Sequence, residues 1–103
     1  NQSCLLAHAL AKHTNLTYIP NGLERPSWTK ALENADFAER YKRLSTAIKI
    51  NKRQKSAFVG QDILIVDDVM TSGATLHAAT KACLEAGASR VNVAILARAE
   101  KNR

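Results

Sequence analysis

With 103 residues, 46% of them hydrophobic and 23% charged, the chain has room for one domain and the composition of a folded protein, which excludes a second full domain and an intrinsically disordered chain. No apolar run approaches the roughly 20 residues that cross a bilayer, and no basic stretch leads into an apolar signal core, so no membrane span and a cytoplasmic location are expected. Cys4 and Cys83 lie far apart without C-x-x-C spacing, which points to two helix-packing thiols and away from a disulfide framework or a zinc site.

In chain order, Ser3 is placed to cap a helix whose apolar residues Leu5, Leu6, Ala9 and Leu10 follow at helical spacing, ending near His13 before Asn15. Leu16 to Ile19 reads as a short strand stopped by Pro20-Asn21-Gly22. Leu23 to Ser27, containing Pro26, suits an exposed loop. Trp28, Ala31, Leu32, Ala35 and the run from Ala38 to Leu44 fall at spacings of three and four, which predicts one or two helices. Trp28 reads as a packing residue, with stacking on a base as the alternative.

The formal charge of +6 is unevenly placed. Arg40, Lys42, Arg43, Lys49, Lys52, Arg53 and Lys55 lie close together with Glu39 alone against them, a segment that attracts polyanions such as single-stranded DNA. The plainer reading is a solvated helix face and a lysine-rich turn, because nothing aromatic beyond Tyr41 interleaves it. Ala47 to Ile50 reads as an edge strand that would permit a homodimer, and Asn51 to Ser56 as a turn or hairpin connection.

The strongest element runs from Asp62 to Val69, where Ile63, Leu64, Ile65 and Val66 form the continuous apolar run of a strand covered on both faces. From Thr75 to Glu85 the residues Leu76, Ala79, Ala82, Cys83 and Ala86 recur on one helical face, and Gly87 supplies a stop. Val91 to Ala97 is a second buried strand. Strand, loop, helix and strand in this order make a βαβ unit with a parallel pair and a right-handed crossover.

Ligands of open parallel sheets bind beyond the carboxyl ends of the strands, where Asp67 and Asp68 stand, followed by Val69, Met70, Thr71, Ser72, Gly73, Ala74 and Thr75. Adjacent carboxylates repel unless they accept hydrogen bonds from hydroxyls or sit near a cation. Thr71 to Thr75 offers three hydroxyls, a glycine and a run of amides at a helix N-terminus, a cradle for phosphate. One end of the loop suits a polyol and the other a phosphomonoester, the two halves of a ribose 5-phosphate. Two other readings compete. In a helix cap, one hydroxyl suffices and the paired carboxylates have no partner; in a phosphoacceptor receiver domain, the acidic pair stands near the domain start and the T-S-G-A-T loop has no role. His8 and His13, five apart on a helix, are poorly spaced for shared metal ligation, and they and His77 read as surface or packing residues.

The run I-L-I-V-D-D-V-M-T-S-G-A-T, residues Ile63 to Thr75, resembles the signature of type I phosphoribosyltransferases. That resemblance implies an α/β fold with a three-layer, mostly parallel sheet. It further implies that Asp67 and Asp68 hold the ribose hydroxyls of phosphoribosyl diphosphate, that Val69 to Thr75 line the ligand with Thr71 to Thr75 around its 5-phosphate, and that Mg2+ accompanies the diphosphate, with Asp67 and Asp68 as indirect or weak metal contacts. The implied reaction is transfer of ribose 5-phosphate to a nitrogen acceptor, with the segment Leu23 to Ala35 closing over the site; Arg25 and Lys30 read as ordinary surface residues, with reach to the diphosphate as the alternative.

Within that family the chain resembles the competence protein ComF group, also described as GntX or as an amidophosphoribosyltransferase. Asn1-Gln2 with Leu5-Leu6-Ala7, Arg43-Leu44 leading to Ala47-Ile48, and Ala86-Gly87-Ala88 with Ala97-Arg98 carry this likeness, which implies competence or DNA-uptake work as the alternative function. In the family, the first strand and its diphosphate loop precede the positions matched by Asn1-Gln2. The 103 residues are therefore expected to be the C-terminal part of a longer protein, with the sheet lacking its first strand in this chain.

Overall fold

The computed structural model describes residues 2–24, 36, 38–39, 42–43, 47–70 and 73–98, those at 2, 68–70 and 98 by backbone alone. In chain order come α1 (Gln2–Thr14), β1 (Leu23–Glu24), β2 (Lys49–Ile50), a 3-10 helix (Lys52–Ala57), β3 (Asp62–Met70), α2 (Ala74–Glu85) and β4 (Arg90–Arg98). β3 and β4 pair in parallel, from Asp62 opposite Arg90 to Met70 opposite Arg98, so the strand-helix-strand unit forms as its apolar runs require. β1 and β2 make a separate antiparallel pair.

The core is the inner face of α2 pressed against β3. Leu76, Ala79, Ala82, Cys83 and Ala86 are all buried, joined by Ala74, Ala78, Ile65, Ile48 and Phe58, with Ile63 and Val91 packed at the margin. The small side chains of α2 let the helix lie close to the sheet, where each alanine replaced by a larger residue would force the layers apart. α2 ends as its sequence dictates: Gly87 takes φ 103, its N–H donates to Leu84 O, and Ala88 N–H donates to Cys83 O. These two bonds satisfy carbonyls that the helix leaves open.

The sheet is less covered than its sequence suggests. Leu64 is 42% exposed, and on β4 Val93, Ile95 and Leu96 are 50%, 38% and 73% exposed. Strands expected to be buried on both faces are thus only partly covered: α2 packs on the Ile63–Ile65 face of β3, while on β4 both the Val93–Ile95 side and the Leu96 side are exposed. The described residues establish a mixed α/β unit with a small parallel sheet.

Other expectations are corrected at the N-terminal end. α1 begins at Gln2, so Ser3 lies inside the first turn rather than capping it. Leu5 is 66% exposed and Ala9 is exposed, while Leu6, Ala7, Leu10 and Ala11 are half-buried; the inward stripe is rotated by about one residue from the expected Leu5–Leu6–Ala9–Leu10 face. Residues 16–19 form no strand, because a strand exists through its ladder and no described strand lies beside them. Leu16 N–H instead donates to Ala11 O, closing α1 behind Asn15, which takes φ 58.

Leu23–Glu24 is a strand rather than a loop, and the Asn51 to Ser56 turn is the start of a 3-10 helix capped by Asn51, whose side chain accepts from Arg53 N–H. Cys83 is buried as expected, but Cys4 is exposed. Residues 38–39 and 42–43 are helical, within one of the expected helices; apart from Asp36, the remainder of the 28–44 stretch, including Trp28, Arg40 and Tyr41, lies outside the described residues, as do Arg25 and Lys30. Among the described residues no helix is long and apolar enough to cross a membrane.

Candidate functional site

Asp67 stands near the carboxyl end of β3, half-buried, in register with Ile95 of β4. Its Oδ1 accepts a hydrogen bond from Ser3 Oγ at 3.2 Å, which joins the first turn of α1 to the end of β3. Asp68, Val69 and Met70 continue the strand by backbone, their side chains outside the description. Thr71 and Ser72 lie outside the described residues.

The far side of that loop is Gly73, the residue before α2, with φ 83 and ψ −1. This left-handed conformation is one that glycine adopts without the cost a Cβ would impose. Gly73 brings no side chain to cap the helix, and the positive end of the helix dipole lies at this end. Ala74 is buried at 1% exposure, and Thr75 is half-buried one residue further on.

Ser3, Asp67 and Thr75 line one cavity of about 630 Å3. Its walls include consecutive residues 61–67 along β3 and 15–23 on the facing segment. A strand that contributes both its odd and even residues to one cavity meets it along its backbone edge, since alternate side chains point to opposite faces. The cavity thus follows the edge of β3 away from β4, apolar through Ile48, Phe58 and Leu76, with Ser3, Asp67 and Thr75 among its polar lining.

Cys4 and Tyr18 also reach this cavity. The Tyr18 phenol is pushed above its usual value, by desolvation first and then by a hydrogen bond and the charge of the Cys4 thiolate. His8 stacks on Tyr18 with ring centroids 5.2 Å apart and planes 23° from parallel. His13 and His77 are exposed.

Of the residues singled out by sequence, the structure brings Asp67 and Thr75 to one cavity and sets Gly73 at the helix entrance. Sequence reasoning missed Ser3 as a partner of Asp67. A signal was present: Ser3, Ala7, Leu10 and Ala11 share one helical stripe and all line the cavity, and a polar residue on an inward stripe needs a partner. Nothing local ties residue 3 to residue 67.

Of the basic segment, Lys42, Arg43, Lys49, Lys52, Arg53 and Lys55 are all exposed. Four of them, Lys49, Lys52, Arg53 and Lys55, lie on β2 and the 3-10 helix.

The profile of the family described as Phosphoribosyl transferase domain matches residues 10–103. The chain belongs to this phosphoribosyl transferase domain family. The match spans the parallel pair, the loop between Asp67 and Gly73, and α2, and it starts within α1, beyond Ser3. No curated protein and no solved structure matches the chain.

Proposed function

We propose that the chain binds phosphoribosyl diphosphate, or a related ribose 5-phosphate compound, at the Asp67 to Thr75 loop and serves in transfer of ribose 5-phosphate to a nitrogen acceptor. The observation that carries this reading is the placement of Asp67 and Thr75 on one cavity with left-handed Gly73 between them, in a chain of the phosphoribosyl transferase domain family. Asp67 and Asp68 would accept hydrogen bonds from the ribose hydroxyls. Thr71, Ser72, Gly73, Ala74 and Thr75 would surround the 5-phosphate with hydroxyls and amides, and Val69 and Met70 would lie along the ligand. In this reading the parallel pair belongs to a larger three-layer sheet.

The donor chemistry fits magnesium. Asp67 offers hard carboxylate oxygens of the kind that ion prefers, and magnesium commonly arrives on substrate phosphates with several of its waters retained. Asp67 and Asp68 would touch it directly or through water, and its bound form supplies charge neutralisation for the departing diphosphate. In the transfer, the nitrogen lone pair forms the new bond to the anomeric carbon as the carbon–oxygen bond to diphosphate breaks and the diphosphate keeps that electron pair. The protein's part is to orient the sugar and exclude water.

Isothermal titration of phosphoribosyl diphosphate with magnesium into the protein and into an Asp67→Asn, Asp68→Asn variant tests the reading. Binding that the double substitution abolishes is expected; absence of binding by the unsubstituted protein overturns it. A second reading, a competence-type module of the ComF group that binds single-stranded DNA, is favoured by one observation: the exposed cations Lys49, Lys52, Arg53 and Lys55 fall on one short segment.

A further inference from the structure

We propose that Ser3 is a positioning residue of the ligand site, acting through Asp67; its ligand rests on the function proposed above, whereas the contact itself does not. The Ser3 hydroxyl and the Asp67 carboxylate meet at 3.2 Å across a separation of 64 residues, in a partly buried setting. A carboxylate at a strand end turns about its terminal torsion, which has only broad wells. A hydroxyl bound to Oδ1 restricts that rotation and fixes where the carboxylate can meet a sugar hydroxyl.

One further feature supports a role in the site rather than plain packing. Ser3 occupies the stripe of α1 that lines the cavity, with Ala7, Leu10 and Ala11 behind it; a residue needed only to fill space there would be apolar like its neighbours. Because the family match begins at residue 10, the contact is contributed by chain outside the matched span.

The test is a double-mutant cycle on phosphoribosyl diphosphate binding with magnesium, using the unsubstituted protein, Ser3→Ala, Asp67→Asn, the combination, and Ser3→Thr. Ser3→Ala is expected to weaken binding about two- to tenfold, the range of one hydrogen bond, and Ser3→Thr to restore most of it. In the Asp67→Asn background Ser3→Ala should add little. A second cycle on the melting temperature of the same proteins without ligand reads the contact directly and remains measurable if Asp67→Asn binds too weakly to titrate.

Unchanged affinity in Ser3→Ala, or equal losses in both backgrounds, overturns the proposal while leaving the ligand reading intact. Absence of binding by the unsubstituted protein overturns both. Additive melting temperatures overturn the contact itself.

Discussion

The ring of Phe58 closes over Gly22: a Cβ placed on Gly22 would stand 2.9 Å from Phe58 Cζ and 2.9 Å from Ile19 Cγ2. Phe58 is 3% exposed and part of the core, so the turn at Pro20–Asn21–Gly22 is packed against the centre of the molecule rather than looping free. Three bonds hold it there: Asn51 N–H to Gly22 O at 2.8 Å, Asn51 Nδ2 to Asn21 O at 3.1 Å, and Gln54 Nε2 to Pro20 O at 2.7 Å. The same segment forms one wall of the cavity, so its packing sets the cavity's width.

Gly22→Ala should therefore destabilise the protein by overpacking, by about 1–3 kcal/mol, in a denaturant titration. The cause is steric, so the penalty should shrink in a Phe58→Leu background, where the ring that meets the new methyl is gone. An unchanged penalty in that background would assign the effect to the Ile19 contact or the backbone instead.

Cys83 is fully buried, and burial pushes its thiol up to about 11 from an ordinary 9.0. Above pH 9 the unfolded chain releases this proton while the folded chain holds it, so the unfolded state binds fewer protons and stability falls as pH rises. The stability is present in full below pH 9 and lost progressively up to about pH 11, by about 1–3 kcal/mol. Cys83→Ala should remove that part of the alkaline slope. At pH 8 a thiol reagent should label exposed Cys4 and spare Cys83 until the protein unfolds.

Where a signal was both local and periodic, the sequence was legible. β3, α2 and the Gly87 stop follow from an apolar run, a 3.6-residue stripe and a left-handed glycine, each defined within about a dozen residues. The strand expected at 16–19 failed because strand pairing depends on a neighbour, and the β-capable residues Leu16, Thr17, Tyr18 and Ile19 say nothing about whether one is present. β4 looked buried because Val91, Val93, Ile95 and Leu96 are apolar, yet its exposure depends on what lies over it, which composition does not state. At the candidate site, the places of Asp67 near a strand end and of Gly73 before a helix were legible through chemistry and spacing. Ser3 was not, since its partner is 64 residues away.

Gly73 should be sensitive for a different reason from Gly22. Its φ of 83 lies in the left-handed region, where a residue with a Cβ costs roughly 1–2 kcal/mol. Gly73→Ala should lower the melting temperature accordingly, and Gly73→Asn should lower it less, because asparagine tolerates that conformation better. Under the proposed function, both should weaken phosphoribosyl diphosphate binding beyond their effect on stability. A side chain there stands where the backbone is proposed to approach the phosphate. Equal affinities in all three proteins would remove Gly73 from the ligand site.

The basic segment separates the two functional readings. Lys52 and Lys55 are three apart on the 3-10 helix, where residues at that spacing eclipse one another, so their ammonium groups are placed on one side with Arg53 between them in sequence. If this surface binds single-stranded DNA, affinity should fall steeply with salt, with a slope of about 0.7 in log K against log salt per phosphate contact. A Lys52→Gln, Arg53→Gln, Lys55→Gln variant should then flatten that slope by up to about 2, the share of three phosphate contacts, and leave phosphoribosyl diphosphate binding unchanged. The Asp67→Asn, Asp68→Asn variant should do the reverse. DNA binding whose salt slope is the same in the triple variant would place the polyanion contact elsewhere on the chain, and loss of phosphoribosyl diphosphate binding in that variant would mean the basic segment belongs to the ribose phosphate site.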